Sequence, residues 1–73
     1  MNRPIPEVSE LVSLRRMFGI SQETVALDMD SSQTVVSRLE TGRIDPRWST
    51  VQRYRAAVTS EIERLRTGVM TAA

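Results

Sequence analysis

Apolar residues recur along the chain at helical spacing, in stretches cut by residues that end helices. Val8, Leu11, Leu14 and Phe18 fall three and four residues apart, which predicts an amphipathic helix from Glu7 closed by Gly19 in a left-handed C-terminal cap. Ahead of it, Pro4 and Pro6 make residues 1–6 read as a short flexible arm. Ser21 is a good N-cap for a second helix, with Glu23 in the first turn and an inward face of Val25, Ala26 and Met29. Asp30-Ser31 breaks that pattern, since Asp tolerates turn and left-handed conformations. Ser32 then caps a third helix with Val36 and Leu39 inward and Gly42 at its end, and Thr41 to Arg47 reads as a loop.

The longest periodic run starts at Ser49, where Val51, Tyr54, Val58, Ile62, Leu65 and Val69 are spaced 3, 4, 4, 3 and 4. Two readings fit it: one helix over 49–67, or two helices broken near Thr59-Ser60, where Ser60 and Glu63 form a capping-box pattern. Residues 68–73 are expected to form a frayed tail. With no strand-like alternation and no repeat, the fold class is all-α, a compact bundle of four or five helices with a single domain over 7–67.

Composition narrows the chemistry. A chain of 73 residues buries a smaller fraction of its surface than a typical domain, so association with a second copy is expected. Without Cys or His there is no disulfide, no thiolate or imidazole metal site and no His-based general base, so no metal, cofactor or enzymatic activity is expected. Asp28 and Asp30 read as capping or solubility charges rather than a catalytic pair. No stretch approaches the roughly 20 apolar residues of a membrane span, and no signal peptide is visible; the expected compartment is the cytoplasm. The net charge of +1 is uninformative. All ten basic residues are Arg, which suits bidentate phosphate and guanine contacts, but codon bias in a GC-rich genome accounts for this at least as well. Position along the chain must therefore carry any argument about nucleic acid.

The stretch from Leu14 to Val58 supplies that argument. Leu14-Arg15, Gly19-Ile20-Ser21-Gln22-Glu23, Ala26, Ser32, Val36-Ser37-Arg38-Leu39-Glu40, Gly42, Pro46 and Ser49-Thr50-Val51 resemble, without a gap, the lambda-repressor-like (Xre-type) helix-turn-helix family of bacterial and phage regulators. Small Ala26 lets two helices cross closely, as that motif requires. The resemblance implies that the third helix is a recognition helix lying in the major groove. Its outward residues Gln33, Thr34, Ser37 and Arg38, with Val35 on the flank, are the expected base readers: Gln suits adenine, Arg guanine, and methyl groups thymine. Gln22, Ser32, Thr41, Arg43 and Arg47 are the expected phosphate contacts. The family pattern also implies a partly buried ion pair between Arg15 and Glu40, and it favours the break near Thr59-Ser60. Trp48 and Tyr54 could stack on bases, but both fall on apolar family positions and are expected in the core. Two departures stand out: Asp30-Ser31 replaces the usual Gly and apolar residue in the turn, and Thr24 replaces the Glu that would complete a capping box.

One such unit reads half an operator, and family members pair two recognition helices about 34 Å apart. The spare stripe of Val58, Ile62, Leu65 and Val69 is the expected interface of a homodimer. The function implied is a sequence-specific regulator of transcription on double-stranded DNA, a dimeric repressor or autoregulator. The alternative is an antitoxin that binds its operator and a toxin protein; a third reading is a protein-interaction module that has lost DNA binding. No small-molecule effector is expected.

Overall fold

The computed structural model describes residues 6–44 and 47–71, with side chains from 7 to 44 and from 47 to 67. Four helices follow one another: α1 (Pro6–Met17), α2 (Gln22–Asp28), α3 (Gln33–Glu40) and α4 (Trp48–Thr71). No strand occurs among the described residues. Pro6 occupies the first helical position of α1, where a missing N–H leaves no bond unmade. The rest of the expected arm lies outside the described residues, as do Asp45 and Pro46.

The first three helices end by one device. In each, the residue after the C-cap turns left-handed: Gly19 (φ 69°), Asp30 (φ 54°) and Gly42 (φ 73°). Two backbone bonds then close each end, from Gly19 to Arg16 and Ile20 to Arg15, from Asp30 to Leu27 and Ser31 to Ala26, and from Gly42 to Leu39 and Arg43 to Arg38. Asp30 thus does with a side chain what glycine does without one. At the other ends, Ser21 and Ser32 accept the N–H groups of Thr24 (3.0 Å) and Val35 (3.3 Å). Thr24, expected to leave its capping box incomplete, turns its own hydroxyl to the Ser21 oxygen at 2.9 Å.

The core gathers Val8 and Leu11 from α1, Ile20, Val25, Ala26 and Met29 around α2, Val36 and Leu39 from α3, and Val51, Tyr54, Ala57 and Val58 from α4. Ala26, 3% exposed, sits where α2 and α3 pack together. The expected stripe on α1 needs correction, because Leu14 and Phe18 are about 40% exposed while Arg15 and the edge residue Val12 take the inward places.

α4 is a single helix, against the favoured break near Thr59-Ser60, and its backbone runs past 67 to Thr71. Buried residues lie on both sides of the expected break, Val58 before it and Glu61 after it, with Ile62 against the core. Glu61–Arg64 (2.9 Å) and Glu63–Arg66 (3.4 Å) pair across the next turn, so Glu63 bonds forward and not back to a cap. Arg53 donates to the Met29 carbonyl, closing the C-terminus of α2 from outside. After Ile62 every described side chain through Thr67 is exposed, so the distal part of α4 leaves the body of the protein. No helix among the described residues is long and apolar enough to cross a membrane.

Candidate nucleic-acid interface

A carboxylate at the end of α3 fixes how that helix is presented. Glu40 Oε2 accepts from Arg15 Nε at 2.7 Å and from the Tyr54 hydroxyl at 2.6 Å. Its Oε1 accepts from Arg15 Nη2 at 2.9 Å and from the Gln22 amide at 2.8 Å. The remaining Arg15 Nη1 donates to the Ile20 carbonyl at 2.7 Å. One carboxylate therefore joins all four helices, and each of its oxygens is doubly bonded. No buried side-chain nitrogen or oxygen among the described residues lacks a partner.

This arrangement resolves the electrostatics of a buried pair. Burial by itself would raise the Glu40 pKa, but the bonds from Arg15, Tyr54 and Gln22 outweigh it and hold the carboxyl below its usual range. Burial would likewise lower the Arg15 pKa, and Glu40 reverses that. Tyr54 is raised by burial and then by Glu40, so it stays a hydroxyl and donates. Tyr54 was expected in the core and is there, 0% exposed, but its bond to Glu40 was not foreseen. The available signal was general: a buried tyrosine needs a partner for its O–H.

The opposite face of α3 opens onto a groove. Gln33, Thr34, Ser37 and Arg38 line it from α3, Gln22 from α2, and Thr41 and Arg43 from the residues that follow α3. Four of the five expected base readers and three of the five expected phosphate contacts thus share one depression. Its lining has no aliphatic or aromatic residue, unlike most small-molecule sites. Gln33, Thr34, Arg38 and Arg43 have no side-chain partner among the described residues. Thr41 turns its hydroxyl back to the Ser37 and Arg38 carbonyls (3.0 and 3.3 Å), and Gln22 points its amide N–H to Glu40.

Three expected residues stand outside the lining. Val35 is half-buried, with its N–H bonded to Ser32, and Ser32 is engaged in that cap. Arg47 is exposed immediately before α4. Trp48 contradicts its expected place in the core: it is 70% exposed, because the buried stripe of α4 begins only at Val51.

The charges are distributed unevenly. Arg15, Arg55, Arg64 and Arg66 are ion-paired, and Arg53 bonds a carbonyl. Arg16, Arg38, Arg43 and Arg47 are not paired among the described residues, and three of these four lie on α3 or in the loop after it. Elsewhere, Glu61 is nearly buried beside Asp28, whose hydrogen bond, followed by burial, raises the Glu61 pKa against the pull of Arg64.

The spare stripe on α4 is also revised. Val58 is 0% exposed inside the chain's own core and offers no surface to a second copy. Ile62 packs against that core at its edge, and Leu65 is 45% exposed. The Val69 side chain lies outside the described residues.

A family model described as Helix-turn-helix matches residues 11–57, more than half of the chain. The chain belongs to this family, the helix-turn-helix proteins of the lambda-repressor and Xre type, which are DNA-binding regulators of transcription. No curated protein and no solved structure matches the chain significantly.

Proposed function

We propose that this helix-turn-helix protein is a sequence-specific repressor or autoregulator that binds a pseudo-palindromic operator as a homodimer in the cytoplasm, with α3 in the major groove. The observation that carries this reading is the groove over α3, where the Gln33, Thr34, Arg38 and Arg43 side chains have no partner among the described residues. Gln33 and Arg38 match the edges of adenine and guanine, and Thr34 and Ser37 add short polar contacts between them. Arg43 and Arg47 suit the phosphates on the flank, with Gln22 and Thr41 at the groove's rim and Ser32 at the start of α3. Val35 keeps the role of a methyl contact at the margin.

The dimer is supported by the exposed side chains of α4 from Glu63 to Thr67, where Leu65, next to the edge residue Ile62, offers an apolar surface and Val69 continues the spacing in the sequence. An antitoxin is the second reading. It is favoured by Leu14, Met17 and Phe18, exposed together at the end of α1 and outside the groove lining, where a toxin protein could seat. A toxin gene beside this one would discriminate the two.

Footprinting on the DNA just upstream of the protein's own gene tests the main reading. The expected result is protection of two half-sites about one helical turn apart, resistant to random competitor DNA. Equal binding to all sequences overturns the sequence-specific reading, and a single protected half-site overturns the dimer.

A further inference from the structure

Two carboxyl groups meet where the end of α2 packs on α4. Glu61 of α4 is 8% exposed, and its neighbour is Asp28, the last residue of α2. A single guanidinium serves both: Arg64 bonds the Glu61 carboxyl at 2.9 Å and approaches Asp28 only to 3.8 Å. The Arg64 side chain is mostly in water, so its charge is screened and compensates the two acids weakly. The partial negative charge at the C-terminus of α2 adds to the repulsion around Asp28.

Neighbouring cations are committed elsewhere. Arg53 lines the same depression as Asp28 and Arg64, but it donates to the Met29 carbonyl. On α1, which also packs on α4, Glu7 pairs with Arg55 at 2.7 Å, Arg15 is held by Glu40, and Glu10 and Arg16 are exposed. Among the described residues the charges that act on Glu61 are thus Asp28 and Arg64. Two adjacent carboxylates with one poorly placed cation repel each other. A carboxyl and a carboxylate attract, because the first donates its proton to the second. The Glu61 pKa is raised, first by its hydrogen bond to Asp28 and then by burial, in keeping with that arrangement.

We infer that Glu61 and Asp28 share one proton, and that this proton latches the end of α2 to α4 just before the turn into α3. That turn is Met29-Asp30-Ser31, where the Asp30 and Ser31 N–H groups close α2 on the Leu27 and Ala26 carbonyls. The latch is closed at mildly acidic pH. As pH rises the proton leaves, two like charges face each other, and the end of α2 is held less firmly. The folded chain keeps a proton that the unfolded chain releases at the ordinary glutamate pKa. The contribution is therefore complete below that pKa and is lost as pH rises through the raised folded value. Its sign is opposite to that of Glu40, whose contribution disappears as pH falls. The latch belongs to the fold and is independent of DNA binding.

The test compares the full chain with Glu61→Gln, which keeps the shape and a donor for Asp28 but cannot ionise. Urea unfolding of both is followed from about pH 4 to about pH 8. The midpoints are expected to agree at the acid end, with that of the variant above that of the parent at the neutral end. In amide hydrogen exchange at neutral pH, Asp30 and Ser31 should be better protected in the variant than in the parent. A measurement on the parent alone needs no variant: in an NMR titration the Glu61 carboxyl should titrate above the usual glutamate range.

If Glu61 is instead an ordinary ion-pair partner of Arg64, Glu61→Gln lowers the midpoint at neutral pH. That opposite sign overturns the latch. A Glu61 carboxyl that titrates within or below the usual range overturns it as well, as does equal exchange of Asp30 and Ser31 in both proteins at every pH.

Discussion

Two polar regions share α3, and they obey opposite rules. On its inner side the Glu40 carboxylate takes four donors, one or more from every other helix, and leaves nothing unbonded. On its outer side Gln33, Thr34 and Arg38, with Arg43 just beyond, offer at least as many polar atoms to solvent and engage none within the described chain. A polar atom without a partner costs about 1–3 kcal/mol when buried and almost nothing in water, so the inner region had to be completed by the fold itself. The outer region is free to be completed by something else. Gln22 and Thr41 stand at the boundary: each lines the groove while its own donor is committed to the protein. Polarity alone therefore does not separate the two regions; unused bonding capacity does.

The sharpest way to break this contrast is on the inner side. Arg15→Ala leaves the Glu40 charge buried and half-compensated, and is expected to cost about 3–5 kcal/mol in urea unfolding. Replacing both partners, Arg15→Met with Glu40→Leu, should recover part of that loss, because no buried charge remains. The Glu40 carboxyl is held below its usual range, so its contribution is complete above the ordinary glutamate pKa and is lost as pH falls through the lowered folded value. Arg15→Ala should accordingly flatten the acid limb of the stability profile. A loss below 1 kcal/mol would reduce the network to an ordinary surface pair.

A smaller effect is expected at Tyr54→Phe, which removes one donor from the carboxylate and keeps the ring in the core. About 2 kcal/mol of stability should go, the scale of a hydrogen bond to a charged group, and DNA affinity of the folded protein should not change. An equal loss from operator affinity would mean that the network and the groove cannot be separated.

The outer side should show the reverse. Arg38→Ala is expected to leave unfolding unchanged and to cost about 1–3 kcal/mol in operator binding, with relaxed preference at one base pair. Arg43→Ala should weaken every duplex alike and reduce the salt slope by about one. Variants that lower stability and spare affinity would erase the distinction drawn here.

Much of this was readable in the chain because helix ends carry local chemistry. Ser21 and Ser32 cap as expected, and Gly19, Asp30 and Gly42 take the left-handed positions, since these choices depend only on a residue and its near neighbours. The groove-facing set on α3 was likewise legible, because a helix eight residues long with Val36 and Leu39 inward leaves little freedom for the rest. The expectations for Leu14, Phe18, Trp48 and Val58 failed together, and for one reason. Periodicity says which residues share a face but not how far that face is covered. The first turn of α4 precedes its buried stripe, so Trp48 is bare, while Val58 falls deep within it.

The break in α4 failed on related grounds. Ser60 and Glu63 satisfy a local capping pattern, but Val58, Glu61 and Ile62 hold both sides of the supposed break to one continuous surface. Sequence by itself thus determined the caps of the first three helices, the family and the face that α3 turns outward, all matters of short-range spacing. Tertiary structure alone decided that a single carboxylate binds four helices, that α4 is unbroken and that the tryptophan faces solvent. Each of these depends on where distant segments come to lie against one another, which spacing along the chain does not specify.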